Sequence, residues 1–170
     1  MANAAALKSI DQLSGIDARM AALSKLEALS DELSAADVRR GSNKLLQRAL
    51  RAWRRGDIAR AGQHALAATT ADESNHKAYH VLAMALERMG HLHKALVTYE
   101  RAFQLGPDDP ELLINLGLTA WNLKMYEGAA RMFQLYIAAC PDSPLGYNNL
   151  GSVQCDLGMP EVGIETLRAA

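Results

Sequence analysis

Five histidines and two cysteines are the side chains best suited to chemistry here, and their spacing limits what they can do. His76 and His80 stand one helical turn apart, and His91 and His93 flank Leu92. A zinc site needs three or four ligands in fixed geometry. Cys140 and Cys155 lie far along the chain from these histidines, so no ligand spacing pattern is completed and no metal or other cofactor is expected. Cys140 reads as a helix-end filler and Cys155 as a small packing residue. Asp108, Asp109 and Glu111 mark a turn and a helix start, where acids offset the helix dipole. There is no Gly-rich phosphate loop, no Gly-x-Ser-x-Gly and no pair of carboxylates on strands. The residues point to binding and not to catalysis.

Composition narrows the class further. The chain has 170 residues, 49% hydrophobic and 5% aromatic, long enough for a core or a short repeat array. Its 18 basic and 19 acidic residues leave a net charge of −1, so no overall field calls for nucleic acid or an acidic membrane. Two cysteines make no disulfide framework, which suits a reducing compartment. The start, MANAAALKSIDQ, has no long apolar run after its first charge, unlike a signal peptide. No stretch approaches the ~18 apolar residues of a membrane span. A cytoplasmic location is expected, and abundant Ala and Leu lean towards helix.

The elements emerge from a repeat. Ala61, Ala95 and Ala129 recur 34 apart, as do Leu82, Leu116 and Leu150, and Tyr79, Leu113 and Tyr147. Pro107 and Pro141 close two such units. The cuts fall at 42–75, 76–109, 110–143 and an incomplete 144–170, behind a separate segment, 1–41. Unit two carries Tyr79, Leu82, Ala83, Leu86, Gly90, Ala95, Tyr99, Ala102 and Pro107. Unit three carries Leu113, Leu116, Gly117, Ala120, Ala129, Phe133, Tyr136 and Pro141. This pattern resembles the tetratricopeptide repeat (TPR), a helix-turn-helix of 34 residues. Unit four departs at Gly163, and unit one at Arg48, where a core Leu belongs. The resemblance implies an all-α, right-handed TPR solenoid of about four helix-turn-helix units with an N-terminal helical segment.

Helices are expected at 42–55 and 58–71, 76–89 and 92–105, 110–123 and 126–139, and 144–157 and 160–170. Ala83, Gly117 and Gly151 should let paired helices approach closely. Gly90 and Gly158 sit where the turn needs positive φ, and Lys124 replaces them in unit three. A longer helix should run from Ile16 to Arg39, either capping unit one or forming a homodimer seam through residues 16–36. Arg48 would then meet that helix. At the other end, Ile164 and Leu167 should be left partly uncovered, as in a fragment of a longer protein.

The first helix of each unit should line a concave groove. Helical spacing places Leu46, Gln47, Leu50, Trp53 and Arg54 there from unit one, and Lys77, His80, Val81, Met84 and Arg88 from unit two. Unit three supplies Glu111, Ile114, Asn115, Leu118, Trp121 and Asn122, and unit four Leu145, Asn148, Asn149, Ser152 and Asp156. An apolar floor with amides suits an extended or helical peptide. Asn115 and Asn149, 34 apart, resemble the asparagine ladder in the TPR region of protein O-linked N-acetylglucosamine transferases. Such amides can pair with a peptide backbone on both sides. Gln47 could substitute in unit one, and Val81 interrupts the ladder. The carboxylate clamp of chaperone-tail binders is not present, because Leu46, Leu50 and Glu111 stand at its positions. Lys44, Arg48, Arg51 and Arg55 form a basic stripe, read as a solvated face paired with Asp31, Glu32 and Asp37. The expected function is a protein-interaction module that binds a peptide or protein segment in its groove, without nucleic acid or membrane. Alternatives are the substrate-recruiting domain of a longer bacterial glycosyltransferase, for example one that modifies flagellin, or a scaffold that dimerises through the N-terminal helix.

Overall fold

The computed structural model describes residues 34–170. The chain divides into two compact units, Met1–Arg40 and Gly41–Ala170. Of the first, residues 34–40 are described and are helical, with Asp37 paired to Arg40 at 3.5 Å. Most of the expected capping or dimer helix, 16–33, lies outside the described residues.

The second unit is a row of helical hairpins. Its first helix, α1, covers 41–54. It is followed by α2 (Ile58–Ala71), α3 (His76–Arg88), α4 (Leu92–Leu105), α5 (Pro110–Asn122), α6 (Tyr126–Ala139), α7 (Pro144–Asp156) and α8 (Pro160–Arg168). From α2 onward these bounds fall within two residues of those expected from the repeat, and each helix packs mainly on its neighbours in the chain.

Local chemistry sets the ends. Asp57, Asn75 and Asp109 cap α2, α3 and α5 by accepting from free backbone N–H groups, and Pro opens α5, α7 and α8. Each hairpin turns through one residue with positive φ: Gly56 (78°), Gly90 (83°), Lys124 (61°) and Gly158 (78°). At each turn the N–H of the next residue reaches back to a carbonyl of the helix, as from Met125 to Ala120 at 2.9 Å. Lys124 takes this conformation against the steric preference of a residue with a Cβ.

Small residues set the distance within hairpins. A Cβ placed on Gly117 would stand 2.5 Å from Phe133 Cε1, so α5 and α6 touch across it. One on Gly151 would meet Leu167 Cγ at 2.6 Å and the Gly163 carbonyl oxygen at 2.8 Å. One on Gly163 would meet Cys155 Sγ and the Gly151 oxygen, both at 2.6 Å. The departure at Gly163 thus has a cause: α7 and α8 approach backbone to backbone. Tyr99 and Phe133, one repeat apart, are fully buried and fill the larger spaces between helices. The main core runs from α3 to α7, and a smaller cluster joins Leu46 and Ala49 of α1 to Ala65, Ala68, Ala78 and Val81.

Arg48 stands where the repeat carries a core Leu. It is exposed, while Leu46, Ala49 and Ala52 are the buried apolar residues of α1. Ser42 ties this helix to α2 and to the cap of α3: its Oγ donates to the Ala68 carbonyl at 2.8 Å and accepts from Asn75 Nδ2 at 2.8 Å. At the far end Val162, Ile164 and Leu167 remain 38–48% exposed.

Candidate functional site

The odd-numbered helices α1, α3, α5 and α7 are the first helices of successive hairpins, and their side chains meet across the hairpin boundaries. Asn115 Nδ2 on α5 lies 3.0 Å from His80 Nε2 on α3. Trp121 Nε1 on α5 donates to Asp156 Oδ2 on α7 at 2.7 Å. The Arg88 guanidinium on α3 stands 6.0 Å from the ring centre of Trp53 on α1. Each pair is 35 residues apart, one more than the repeat (88 − 53, 115 − 80, 156 − 121). Helical side chains lean towards the N-terminus, so the partner on the next helix sits one position further on. Trp53 and Trp121 are two repeats apart and both half-buried. Each is held by the residue one position further on in the following repeat.

Behind this face lies a polar cluster. Tyr99 donates to Glu87 Oε2 at 3.0 Å, and burial with the adjacent Glu87 charge pushes its pKa well above the ordinary value. Thr119 Oγ1 lies 3.2 Å from Glu87 Oε1 and 2.9 Å from the Asn115 carbonyl, and its one proton serves one of them at a time. Glu87 therefore joins α3, α4 and α5. It was missed in the sequence because its partners come from other helices.

His80 is an interior residue, 5% exposed. Burial holds its pKa below the ordinary 6.5, against the opposing pull of the Asp109 carboxylate. With Asn115 donating to Nε2, the neutral ring carries its proton on Nδ1, which faces Asp109 Oδ2 at 3.7 Å. His76 lies against the backbone of Gly106, where an added Cβ would stand 2.7 Å from its ring. Among the described residues no three His, Cys, Asp or Glu side chains converge as metal ligands.

The expected groove residues divide into two groups. Leu46 (6% exposed), His80 (5%) and Ile114 (8%) are corrections: they belong to the packed interior, where their apolar or hydrogen-bonded environment retains them. Gln47, Asn122 and Asn148 are exposed, and Leu50, Trp53, Met84, Leu118, Trp121 and Ser152 are half-buried. Ser152 Oγ is bonded to the Asn148 carbonyl at 2.8 Å. The two ladder asparagines are constrained. Asn115 has its amide nitrogen on His80, and Asn149 Nδ2 is sealed from solvent with no acceptor among the described residues. The counterpart of His80 one repeat on is Ile114, which has no acceptor to offer.

A tetratricopeptide-repeat family model matches residues 76–119. The solved structure of MamA superimposes with a TM-score of 0.72 over 82% of this chain and 81% of that one, at 17% identity. MamA from Desulfovibrio magneticus RS-1 does so with 0.70 over 76% and 73%, at 19% identity. The fold is a right-handed TPR solenoid. Protein FlbA of Caulobacter vibrioides is 38% identical over 127 residues, covering 75% of this chain and 21% of that protein. The chain thus spans about one fifth of the curated relative's length. The matched model describes a structural repeat. No helix among the described residues is long and apolar enough to cross a membrane.

Proposed function

We propose that the TPR array is a protein-interaction module that takes an extended or helical peptide segment along the face formed by α1, α3, α5 and α7. The observation that carries this reading is the continuity of that face. Trp53 and Trp121 are fixed by contacts from the following repeat, beside half-buried Met84 and Leu118 and exposed amides at Gln47, Asn122 and Asn148. Preset aromatic anchors lower the entropy cost of gripping a segment, and amides at the rim can pair with its backbone. The accessible amides are Gln47, Asn122 and Asn148, which supports Asn122 and Asn148 as the gripping pair of units three and four in place of Asn115 and Asn149.

Site-directed photocrosslinking in cells tests the proposal. A photoreactive residue at Asn122 or Asn148 should yield covalent partner adducts, identified by mass spectrometry. The same residue at Glu127, exposed at the start of α6, should yield few. Equal yields from all three positions would show that this face is not the binding face.

A further inference from the structure

A second surface lies on the first hairpin, lined by residues other than those used above. Arg48, Arg51 and Arg55 of α1 and its turn, with Arg60 and His64 of α2, line an open hollow of about 250 Å³. The four arginines are exposed. Among the described residues Asp57 is the one acid lining the hollow, and it is already engaged: its Oδ1 accepts from the Arg60 backbone N–H at 3.1 Å, and its Oδ2 lies 3.4 Å from Arg60 Nε. Of the acids expected to pair with this stripe, Asp37 is bonded to Arg40, and Asp31 and Glu32 lie outside the described residues. Residues 39–60 carry eight basic groups and one acidic, a net +7 within a chain of net −1.

We propose that this hollow docks an acidic segment of a partner protein, with Arg48, Arg51 and Arg55 gripping side-chain carboxylates. Guanidinium forks match the two oxygens of a carboxylate, and the cations that α1 and its turn bring to the hollow are arginines. Arg48 and Arg55 are seven residues apart, a rise of about 10.5 Å along the helix. That length exceeds what a single phosphate would span. Long arginine side chains spread over that length can reach carboxylates on alternate residues of an extended strand, which recur about every 6.6 Å. Arg60 and His64 form the opposite wall. A nucleic-acid track would extend the basic surface and add free aromatic platforms. Here the charge is local, and the nearby Trp53 is covered by Arg88.

Fluorescence anisotropy with the 170-residue chain and a fluorescein-labelled peptide of alternating Glu and Ser tests the proposal. The peptide should bind, and binding should weaken steeply with added salt. The Arg48→Gln/Arg51→Gln/Arg55→Gln variant should lose about tenfold or more in affinity. Far-UV circular dichroism checks that it stays helical; if it does not, Arg51→Gln alone should still lose a few-fold. A Gln-Ser peptide should not bind. Arg101→Gln/Arg131→Gln and the groove variant Leu118→Ala should bind the acidic peptide like the parent, which separates this surface from the groove. No binding by the parent, or equal binding by parent and Arg51→Gln, overturns the proposal. So does an oligonucleotide that binds more tightly than the peptide and depends on the same arginines, or displacement of the peptide by inorganic phosphate at matched charge.

Discussion

Substituting Gly117 by Ala separates helix propensity from helix packing at one methyl group. An added Cβ would stand 2.5 Å from Phe133 Cε1 and 3.0 Å from its Cδ1 and Cζ. Carbon atoms prefer about 3.5–4.0 Å, so one partner must move by about 1 Å. Phe133 is fully buried and meets Trp121 edge to face, with ring centres 6.4 Å apart, so its freedom to yield is small. Overpacking of this kind costs about 1–3 kcal/mol, and loss of the aromatic pair adds about 0.5–1.5 kcal/mol. Greater helix propensity returns about 1 kcal/mol. The expected result is a net loss of about 0.5–3.5 kcal/mol in urea unfolding, with a change in Trp121 fluorescence. Gly128 supplies the control: it is exposed in α6 and an added Cβ meets nothing within 4 Å, so Gly128→Ala should stabilise by about 0.5–1 kcal/mol. If Gly117→Ala stabilises as much as Gly128→Ala, close packing of α5 on α6 is not what the glycine serves.

Three further outcomes follow from the same structure. Lys124→Gly should stabilise by about 0.5–1 kcal/mol in calorimetry, since the other three equivalent turns use Gly at this φ; an unchanged or lowered Tm would mean that the left-handed turn costs Lys124 nothing. The lowered pKa of His80 makes the unfolded chain bind a proton before the folded one does. Stability from this residue is therefore full above about pH 6.5 and is lost as pH falls through the lowered folded value. His80→Gln should flatten the Tm profile between about pH 7 and 5, and an unchanged slope would assign the acid sensitivity to other groups. Asp156→Asn removes the charged acceptor of Trp121 Nε1, and should alter Trp121 fluorescence at a stability cost below about 1 kcal/mol, measured by urea titration.

The sequence by itself determined what depends on local backbone and short-range pattern. The spacing of 34 located the hairpins, because each repeat must place its small and large residues at fixed helical positions to stack. Gly90, Gly158 and the substituted Lys124 marked the left-handed turns, since only that conformation closes the hairpin there. Gly117 and Gly151 announced close helix contacts for the same steric reason. Tertiary structure decided which side chains meet between repeats. The 35-residue offset joining Trp53 to Arg88, His80 to Asn115 and Trp121 to Asp156 arises from side-chain tilt and from how neighbouring helices sit, neither of which a single helix period contains. The same packing turned His80, Ile114 and Leu46 inward and committed the Asn115 amide to His80. It also left Arg48 in solvent at a position where repeat spacing puts a core Leu, because burial belongs to the assembled surfaces and not to a residue's place in a motif.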